Sequence, residues 1–303
     1  MQTQTAIEQT ACQITQQLNR VVVGKEEAVF WVFAAILAGG HILLEDIPGV
    51  GKTTLAAALS KTLGLQLGRL QFTPDVMPSD VVGYCVPEEG KMVYRPGAVM
   101  CNLFLADELN RAASRTQSAL LEAMEEGQVT VDGVCYKLPR PFIVIATQNP
   151  LGAAGTQPLP DSQLERFALR LALGYPSKAA EGEMLLQQEQ AQLQPVISAQ
   201  ELLKLQQEVE HTYISPAVAA YMVALVAATR KALGIYRGAS PRTTLSVAAV
   251  SKAVAQLSGR DYVIPEDVRK AFLHCAPHRI LARGKEEACL RWILARVRPP
   301  KLC

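Results

Sequence analysis

Residues 41–53 read His-Ile-Leu-Leu-Glu-Asp-Ile-Pro-Gly-Val-Gly-Lys-Thr, and this stretch decides the fold of the chain. The short apolar run at 41–45 predicts a buried strand, and the periodic apolar pattern of 53–63 predicts a helix after it. A glycine-rich turn between strand and helix can cradle phosphates, because glycine lets the backbone N–H groups turn inward and the helix N-terminus is partly positive. The stretch therefore predicts an α/β domain that binds a phosphorylated ligand.

The loop and the start of the following helix supply the residues predicted to contact a nucleotide: Gly49, Val50, Gly51, Lys52, Thr53 and Thr54. Lys52 would reach the β- and γ-phosphates, and the hydroxyl of Thr53 would bind Mg²⁺. The alternative is an ordinary turn between strand and helix in which Gly-Lys-Thr occurs by chance, since short motifs also match by accident.

Asp46 departs from the general phosphate-loop pattern, which has its first glycine at this position. That glycine opens the loop and lies furthest from the transferred phosphoryl group. We therefore expect Asp46 to behave as a remote surface charge, so that its replacement by glycine changes ATP affinity by less than about tenfold.

A second apolar run, at 103–106, predicts a strand that ends in Asp107 and Glu108. Two acids in this position suit a nucleotide held with magnesium. Asp107 would hold the ion, through water or Thr53, and Glu108 would orient and polarise the attacking water. A solvated helix cap is the alternative interpretation of the pair.

A third buried strand is predicted over 142–147, and Asn149 follows it. Ligands bind outside the carboxyl ends of strands in open α/β sheets, so Asn149 can meet the same nucleotide. A turn-forming asparagine before Pro150 is the other interpretation.

The rest of the chain divides into two parts with different patterns. Further strands are predicted over 67–71 and 169–173, and strands that alternate with helices indicate a parallel sheet covered on both faces. Two helices, over 5–19 and 25–37, precede the first strand. From residue 178 onward only helices are predicted, over 179–190, 199–211, 216–231, 244–257, 265–274 and 285–298. We therefore predict an α/β core over 1–176 and an all-helical domain over 177–303, joined at 175–177.

Composition narrows the function classes. The chain has 303 residues with 30 basic and 28 acidic side chains, a net charge of +2 that predicts no bulk attraction to nucleic acid or membrane. The longest apolar stretch, 28–38, is too short for a membrane span, and the N-terminus lacks the features of a secretion signal, so we expect a cytoplasmic protein. Seven cysteines are scattered singly and are interpreted as reduced, mostly structural thiols: Cys12, Cys85, Cys101, Cys135, Cys275, Cys289 and Cys303.

Several motifs occur in an order that resembles one family. After the phosphate loop come Asp-Glu-Leu-Asn-Arg-Ala at 107–112, Gln-Ser-Ala-Leu-Leu-Glu-Ala-Met-Glu at 117–125, Ala-Thr-Gln-Asn-Pro at 146–150 and Gln-Leu-Glu-Arg-Phe at 163–167. Together they resemble the MoxR family of AAA+ ATPases over about 22–298, and many MoxR-like sequences also carry an acid at the position of Asp46. The resemblance implies an AAA+ core with a central parallel sheet flanked by helices, and a C-terminal helical lid.

The resemblance also implies an oligomer, a hexameric ring, in which each site is completed by a neighbouring subunit. Arg166 matches the arginine finger that reaches a neighbour's γ-phosphate, and Arg242 matches the second sensor arginine at the start of a lid helix. Val23 and Gly24 match the stretch that contacts adenine. Surface ion pairs for the arginines, and a strand-like entry into a helix for Val23 and Gly24, are the alternatives.

Two insertions lie between the motifs. Residues 79–99 resemble the strand-rich insertion in helix 2 of the MoxR, chelatase and MCM-like branch, and residues 128–138 alternate around Asp-Gly, a strong hairpin signal. In the family both project toward a central pore where substrate would be handled. Loop packing without any partner is the alternative.

The implied activity is hydrolysis of ATP with Mg²⁺ to remodel or activate a protein partner, typically one with a von Willebrand factor A domain, sometimes during metal-cofactor insertion. A magnesium-chelatase-type ATPase subunit is the nearest alternative. A DNA-handling motor of the same branch is disfavoured by the near-neutral charge.

Overall fold

The computed structural model describes residues 6–47, 49–149, 156–186 and 192–301. Pro48, Pro150, Cys303 and the last four residues of the helix predicted over 179–190 lie outside the described residues. Within them, no helix is long and apolar enough to cross a membrane.

The strands of the described residues are β1 (His41–Glu45), β2 (Leu67–Gln71), β3 (Gly83–Glu88), β4 (Lys91–Pro96), β5 (Leu103–Asp107), β6 (Gln128–Val131), β7 (Val134–Lys137), β8 (Ile143–Gln148) and β9 (Phe167–Leu171). Five of them form a parallel central sheet in the order β2-β5-β8-β1-β9. The strand predicted over 169–173 begins two residues earlier, because the fully buried Phe167 pairs with His41 at the start of β1.

Helices lie before the sheet, between its strands in sequence and after it. Their bounds are α1 (Ala6–Asn19), α2 (Glu26–Leu37), α3 (Lys52–Thr62), α4 (Pro78–Val82), α5 (Ser114–Glu126), α6 (Asp161–Leu164), α7 (Lys178–Leu186), α8 (Ala199–Glu210), α9 (Pro216–Thr229), α10 (Pro241–Leu257), α11 (Pro265–Cys275) and α12 (Glu286–Arg296). The short 3₁₀ turns Leu109–Arg111 and Pro277–Arg279 follow β5 and α11.

The sheet is buried on both faces. Successive side chains of a strand point to opposite sides, so neighbouring residues of one strand enter different apolar clusters. Leu44 of β1 belongs to an apolar cluster that α1, α2, α3 and the C-terminal helices share, whereas Leu43 belongs to a second cluster covered by α5. Phe272 of α11 lies in the first cluster, so the C-terminal helices pack into the same core as α2.

Both insertions form antiparallel hairpins, β3 with β4 and β6 with β7. The second turns at Asp132 and Gly133, whose φ values of 50° and 78° are those of the tight turn that Asp-Gly favours. The ring of Tyr94 on β4 stacks on Tyr136 of β7 at 3.8 Å, so the two hairpins pack against each other.

The cysteines of the described residues are free thiols. Burial raises the pKa of Cys101 to about 11 and that of Cys275 to about 12. These two thiols therefore stay protonated near neutral pH and act as small apolar side chains.

Candidate functional site

The phosphate-loop candidates lie between β1 and α3, where the sequence predicts them. Gly49 and Gly51 have φ values of 85° and 94°, a region that side chains with a Cβ rarely adopt. A Cβ at either position would meet no neighbour, so backbone conformation, not crowding, requires glycine here. Gly51 caps α3, and the exposed Thr53 and Thr54 lie in the first turn of that helix.

Lys52 lies buried at the start of α3, and its Nζ donates to the carbonyl oxygen of Asp46 at 2.8 Å. Burial lowers the pKa of Lys52, while the negative charges of Asp46, Asp107 and Glu108 raise it. The ammonium group therefore lies within the field of the acids that end β5. An incoming phosphate would offer this group a stronger, charged partner than the carbonyl oxygen.

Asp46 is not the remote surface charge that the sequence predicts. It is only 7% exposed, and its Oδ2 accepts a hydrogen bond of 2.7 Å from the backbone N–H of Gly174, beyond the end of β9. Its Oδ1 accepts from the N–H of Ile47 at 3.0 Å. The expected surface position was wrong, because the sequence does not show that the turn after β9 lies beside the loop. The expected effect of Asp46→Gly on ATP affinity stays a prediction. Asp46 ties the phosphate loop to that turn.

The two acids after β5 are joined through Thr147 of β8, the neighbouring strand. The Thr147 hydroxyl donates to Oδ1 of Asp107 and accepts from the backbone N–H of Glu108, both at 2.8 Å. Arg69 of β2 donates to Oδ2 of Asp107 at 3.0 Å. Glu108 has a φ of 56°, an uncommon value for a residue with a side chain, and the bond to Thr147 helps to hold it there.

Glu108 is also held at both carboxylate oxygens. Arg111 donates to Oε2 at 2.8 Å, and the side-chain amide of Asn149 donates to Oε1 at 3.2 Å. The buried Asn110 donates to the carbonyl oxygen of Asn149 at 3.2 Å. Glu108 and Asn149, predicted from separate strands, therefore meet at one edge of the sheet.

The oxygen donors at this edge fit a magnesium ion. Mg²⁺ prefers oxygen ligands, keeps several waters and takes one or two carboxylates from the protein. Asp107 and the exposed hydroxyl of Thr53 are such donors. Within the described residues, no three His, Cys, Asp or Glu side chains converge into a metal cluster.

Val23 and Gly24 lie in a turn between α1 and α2, not in a strand. Val23 is buried, and Gly24 has a φ of 70° at a point where a Cβ would lie 2.8 Å from the Cβ of Ala180 in α7. Lys25 follows and donates to the carbonyl oxygens of Leu173 and Gly174, both at 2.8 Å. The turn therefore lies against the segment that leaves β9.

Arg166 and Arg242 lie together at the opposite edge of the sheet. Arg166 immediately precedes β9, whose first residue pairs with the first residue of β1. Its guanidinium donates to Oε2 of Glu125 at 2.6 and 3.0 Å, and Arg242 donates to Oε1 of the same carboxylate at 2.5 Å. These two arginines lower the pKa of Glu125. They line a cavity of about 340 Å³ with His41, the first residue of β1.

Family models match two parts of the chain. Residues 41–169 match the ATPase family associated with various cellular activities (AAA), and residues 227–290 match the AAA lid domain. The chain is 37% identical over 278 residues to the Mycobacterium tuberculosis protein named Chaperone MoxR1, across 88% of this chain and 74% of the relative. The chain belongs to the MoxR family of AAA+ ATPases.

Two further comparisons cover nearly the whole chain. A Bacillus subtilis protein named Uncharacterized protein YeaC is 44% identical over 298 residues, across 94% of this chain and 93% of the relative. A crystal structure of a candidate ATPase from Cytophaga hutchinsonii superposes with a TM-score of 0.89 at 36% identity, covering 97% of this chain and 96% of that one. The predicted fold class, an AAA+ core with a helical lid, is confirmed.

Several residues of this MoxR-family site carry contacts that sequence reasoning did not assign. Thr147, Asn110 and Arg111 stand inside the motifs that indicate the family, and their position beside predicted site residues is the signal that could have found them. Glu125 ends the motif at 117–125 and carries the same signal, but the motif does not show its arginine partners. Arg69 has no such signal, because it lies outside the motifs and reaches Asp107 from a neighbouring strand.

Proposed function

We propose that this MoxR-family protein hydrolyses ATP with Mg²⁺ and uses the energy to remodel or activate a protein partner. The glycine-rich loop, the buried Lys52 and the linked acids Asp107 and Glu108 support the hydrolytic part. The relative named Chaperone MoxR1 favours protein remodelling over a chelatase subunit or a DNA motor. Because ATP is a cytosolic substrate, the proposed activity belongs in the cytoplasm.

The chain's own residues would divide the chemistry as follows. The loop N–H groups and Lys52 bind the phosphates, and Thr53 with Asp107 would hold Mg²⁺, which would neutralise charge as the bond to the γ-phosphate breaks. Glu108 orients the attacking water and accepts its proton, while Asn149 and Arg111 keep its carboxylate in one place. Val23 and Gly24 would contact the base.

The observation that carries the proposal of an oligomer is the separation of the arginines from the loop. The loop follows the last residue of β1, whereas Arg166 precedes the first residue of the neighbouring parallel strand. At roughly 3.3 Å per residue, a five-residue strand puts roughly 16 Å between the two edges, too far for an arginine to reach its own phosphates. Arg166 and Arg242 would therefore serve the nucleotide of a neighbouring copy, and a hexameric ring is the arrangement we propose.

The partner we propose is a protein with a von Willebrand factor A domain, sometimes one that receives a metal cofactor. The two hairpins supply the surface for it. Tyr84 and Met92 of the first hairpin and Val134 of the second are exposed large apolar side chains, which a protein partner would cover.

The first experiment separates binding from chemistry. Glu108→Gln should bind ATP with near-normal affinity and hydrolyse it at least about 100-fold more slowly, while Lys52→Ala should lose binding itself. Equilibrium titration and phosphate release measure the two quantities. Lys61→Ala, in the last turn of the same helix, is the matched control and should change neither. Equal loss of binding in the two site variants would refute the assigned roles.

The second experiment tests the shared site. Arg166→Ala keeps its own Glu108 but lacks a finger, and Glu108→Gln has the opposite defect. A mixture of the two contains some interfaces with both groups intact, so ATPase activity should return to at least a few per cent of wild type and rise with protein concentration. If the mixture shows no ATPase activity, also when the two variants are co-expressed, the shared site is rejected.

A further inference from the structure

The backbone on both sides of Arg166 is held from the helical part of the chain. Nη2 of Arg279 donates to the carbonyl oxygen of Glu165 at 3.1 Å and to that of Phe167 at 2.6 Å. Glu165 and Phe167 are the residues on either side of Arg166. One guanidinium nitrogen therefore holds the peptide unit that precedes Arg166 and the peptide unit that follows Phe167.

Two neighbours of Arg279 hold the same segment. The Nε2 atom of His278 lies 2.9 Å from the carbonyl oxygen of Phe167. The hydroxyl of Ser240, the residue before α10, donates to the Glu165 carboxylate at 2.8 Å. Ser240 occupies the N-cap position of α10, but its side chain makes no capping hydrogen bond there, so its hydroxyl can make this contact.

The burial of Arg279 is costly. The residue is 2% exposed, and its Nε and Nη1 groups have no hydrogen-bond partner among the described residues. Burial lowers the pKa of its guanidinium. A buried charge with unpaired donors destabilises a fold, and an apolar side chain of similar size is often as good or better for stability. Stability alone is therefore a poor reason for an arginine here, whereas its contact with the two carbonyl groups needs a hydrogen-bond donor, which an apolar side chain lacks.

We propose that Arg279 is a positioning residue for Arg166: it fixes the finger's backbone so that the guanidinium projects toward the nucleotide of a neighbouring subunit. The inference rests on the proposed function, because it needs the shared site. It adds that the helical domain, which carries Arg279, sets the direction of the finger. Arg279 acts through Arg166 and contacts no substrate.

Mixing experiments show whether Arg279 supports the finger that its subunit donates or the nucleotide site of its own subunit. Arg279→Met alone should bind ATP within about twofold of wild type and turn over about 10- to 100-fold more slowly. Mixed with Glu108→Gln, which supplies intact fingers, it should regain activity. Mixed with Arg166→Ala it should show no more activity than Arg279→Met alone, because every finger in that mixture is defective.

A merely structural role gives the opposite pattern. If loss of Arg279 damages its own nucleotide site, the mixture with Arg166→Ala recovers and the mixture with Glu108→Gln does not, and that result overturns the proposal. Arg269→Met is the matched control, since Arg269 also donates to a backbone carbonyl within the helical part, that of Leu294, without touching the Arg166 segment. It should behave as wild type in every mixture.

A milder variant keeps the test decisive if Arg279→Met folds poorly. Ser240→Ala removes only the contact with the Glu165 carboxylate and should slow turnover about three- to tenfold. Like Arg279→Met, it should recover activity with Glu108→Gln and not with Arg166→Ala. Wild-type turnover in Ser240→Ala together with a misfolded Arg279→Met overturns the proposal. If the mixture of Arg166→Ala and Glu108→Gln recovers activity but Arg279→Met does not recover with Glu108→Gln, the shared site is supported and the proposed role of Arg279 is rejected.

Discussion

The two edges of the central sheet differ in their side chains and in the contacts that hold them. At the carboxyl edge, Thr147 joins Asp107 and Glu108 by hydrogen bonds of 2.8 Å, and Lys52 donates to the carbonyl oxygen of Asp46. At the amino edge, two arginines from different parts of the chain share one exposed carboxylate, Glu125. The first edge is a site held rigidly by its own strands. The second edge is a set of cations whose only anionic partner among the described residues is a side chain of the same chain.

The difference shows how one chain can carry two halves of a reaction. Rigid hydrogen bonding suits the edge that must place a water and a phosphate to within a fraction of an ångström. Two arginines that share a solvent-exposed carboxylate suit an edge that must exchange Glu125 for an anion on another molecule, because an ion pair at the surface is worth little. The four predictions below test this division.

The largest effect is expected at the amino edge. Arg166→Ala should lower kcat by about 10³-fold, because a guanidinium supplied to a neighbour's γ-phosphate stabilises the transition-state charge, and it should leave nucleotide affinity within about twofold. Steady-state kinetics and titration of a fluorescent nucleotide measure the two. Arg291→Ala, an exposed arginine paired with Glu287 on α12, is the control and should keep wild-type kcat. Loss of nucleotide affinity in Arg166→Ala would mean that Arg166 contacts the nucleotide of its own subunit.

At the carboxyl edge, Thr147→Val removes the hydroxyl between Asp107 and Glu108 while keeping the shape of the side chain. Loss of these bonds should lower kcat about 10- to 100-fold, in line with the cost of about 1–3 kcal/mol for an unsatisfied buried group. Thr116→Val removes another buried hydroxyl, which donates to Val76 at 2.8 Å, and should leave kcat unchanged. Equal kinetic effects in both variants would show that Thr147 contributes only to packing.

The tie between the phosphate loop and the turn after β9 should appear as stability. Asp46→Ala leaves the N–H groups of Gly174 and Ile47 without their acceptor and should lower the free energy of unfolding by about 1–3 kcal/mol. Urea denaturation measures it. The exposed Asp75, treated in the same way, should change stability by less than about 0.5 kcal/mol. Equal stability of the two variants would mean that Asp46 behaves as a surface charge after all.

The smallest effect concerns His41 at the amino edge. Burial lowers its pKa from 6.5 to about 4, so the folded chain keeps it neutral while the unfolded chain takes up a proton below pH 6.5. Its contribution is therefore lost as pH falls from 6.5 toward 4, and between pH 6.5 and 5.5 the loss is about 1 kcal/mol. His41→Gln should remove that part of the slope in denaturation curves. An unchanged slope in His41→Gln would contradict this prediction.

The carboxyl edge could be predicted from sequence because each of its residues follows a short apolar strand. Lys52, Glu108 and Asn149 stand directly beyond such runs, and parallel strands deliver their ends to one edge. Their partners Thr147, Asn110 and Arg111 were visible in the motifs, but their contacts were not, because a motif gives the order of residues and not the direction of their side chains.

The sequence by itself determined the strand order along the chain, the loop that needs glycine, the hairpin at Asp132 and the family. These depend on local backbone preferences and on apolar periodicity, which act within a few residues. Only the tertiary structure decided that Asp46 is buried against Gly174, that Glu125 joins two arginines and that Arg279 grips the segment around Arg166. Those contacts join residues more than a hundred positions apart, or side chains on separate elements, and packing alone brings them together.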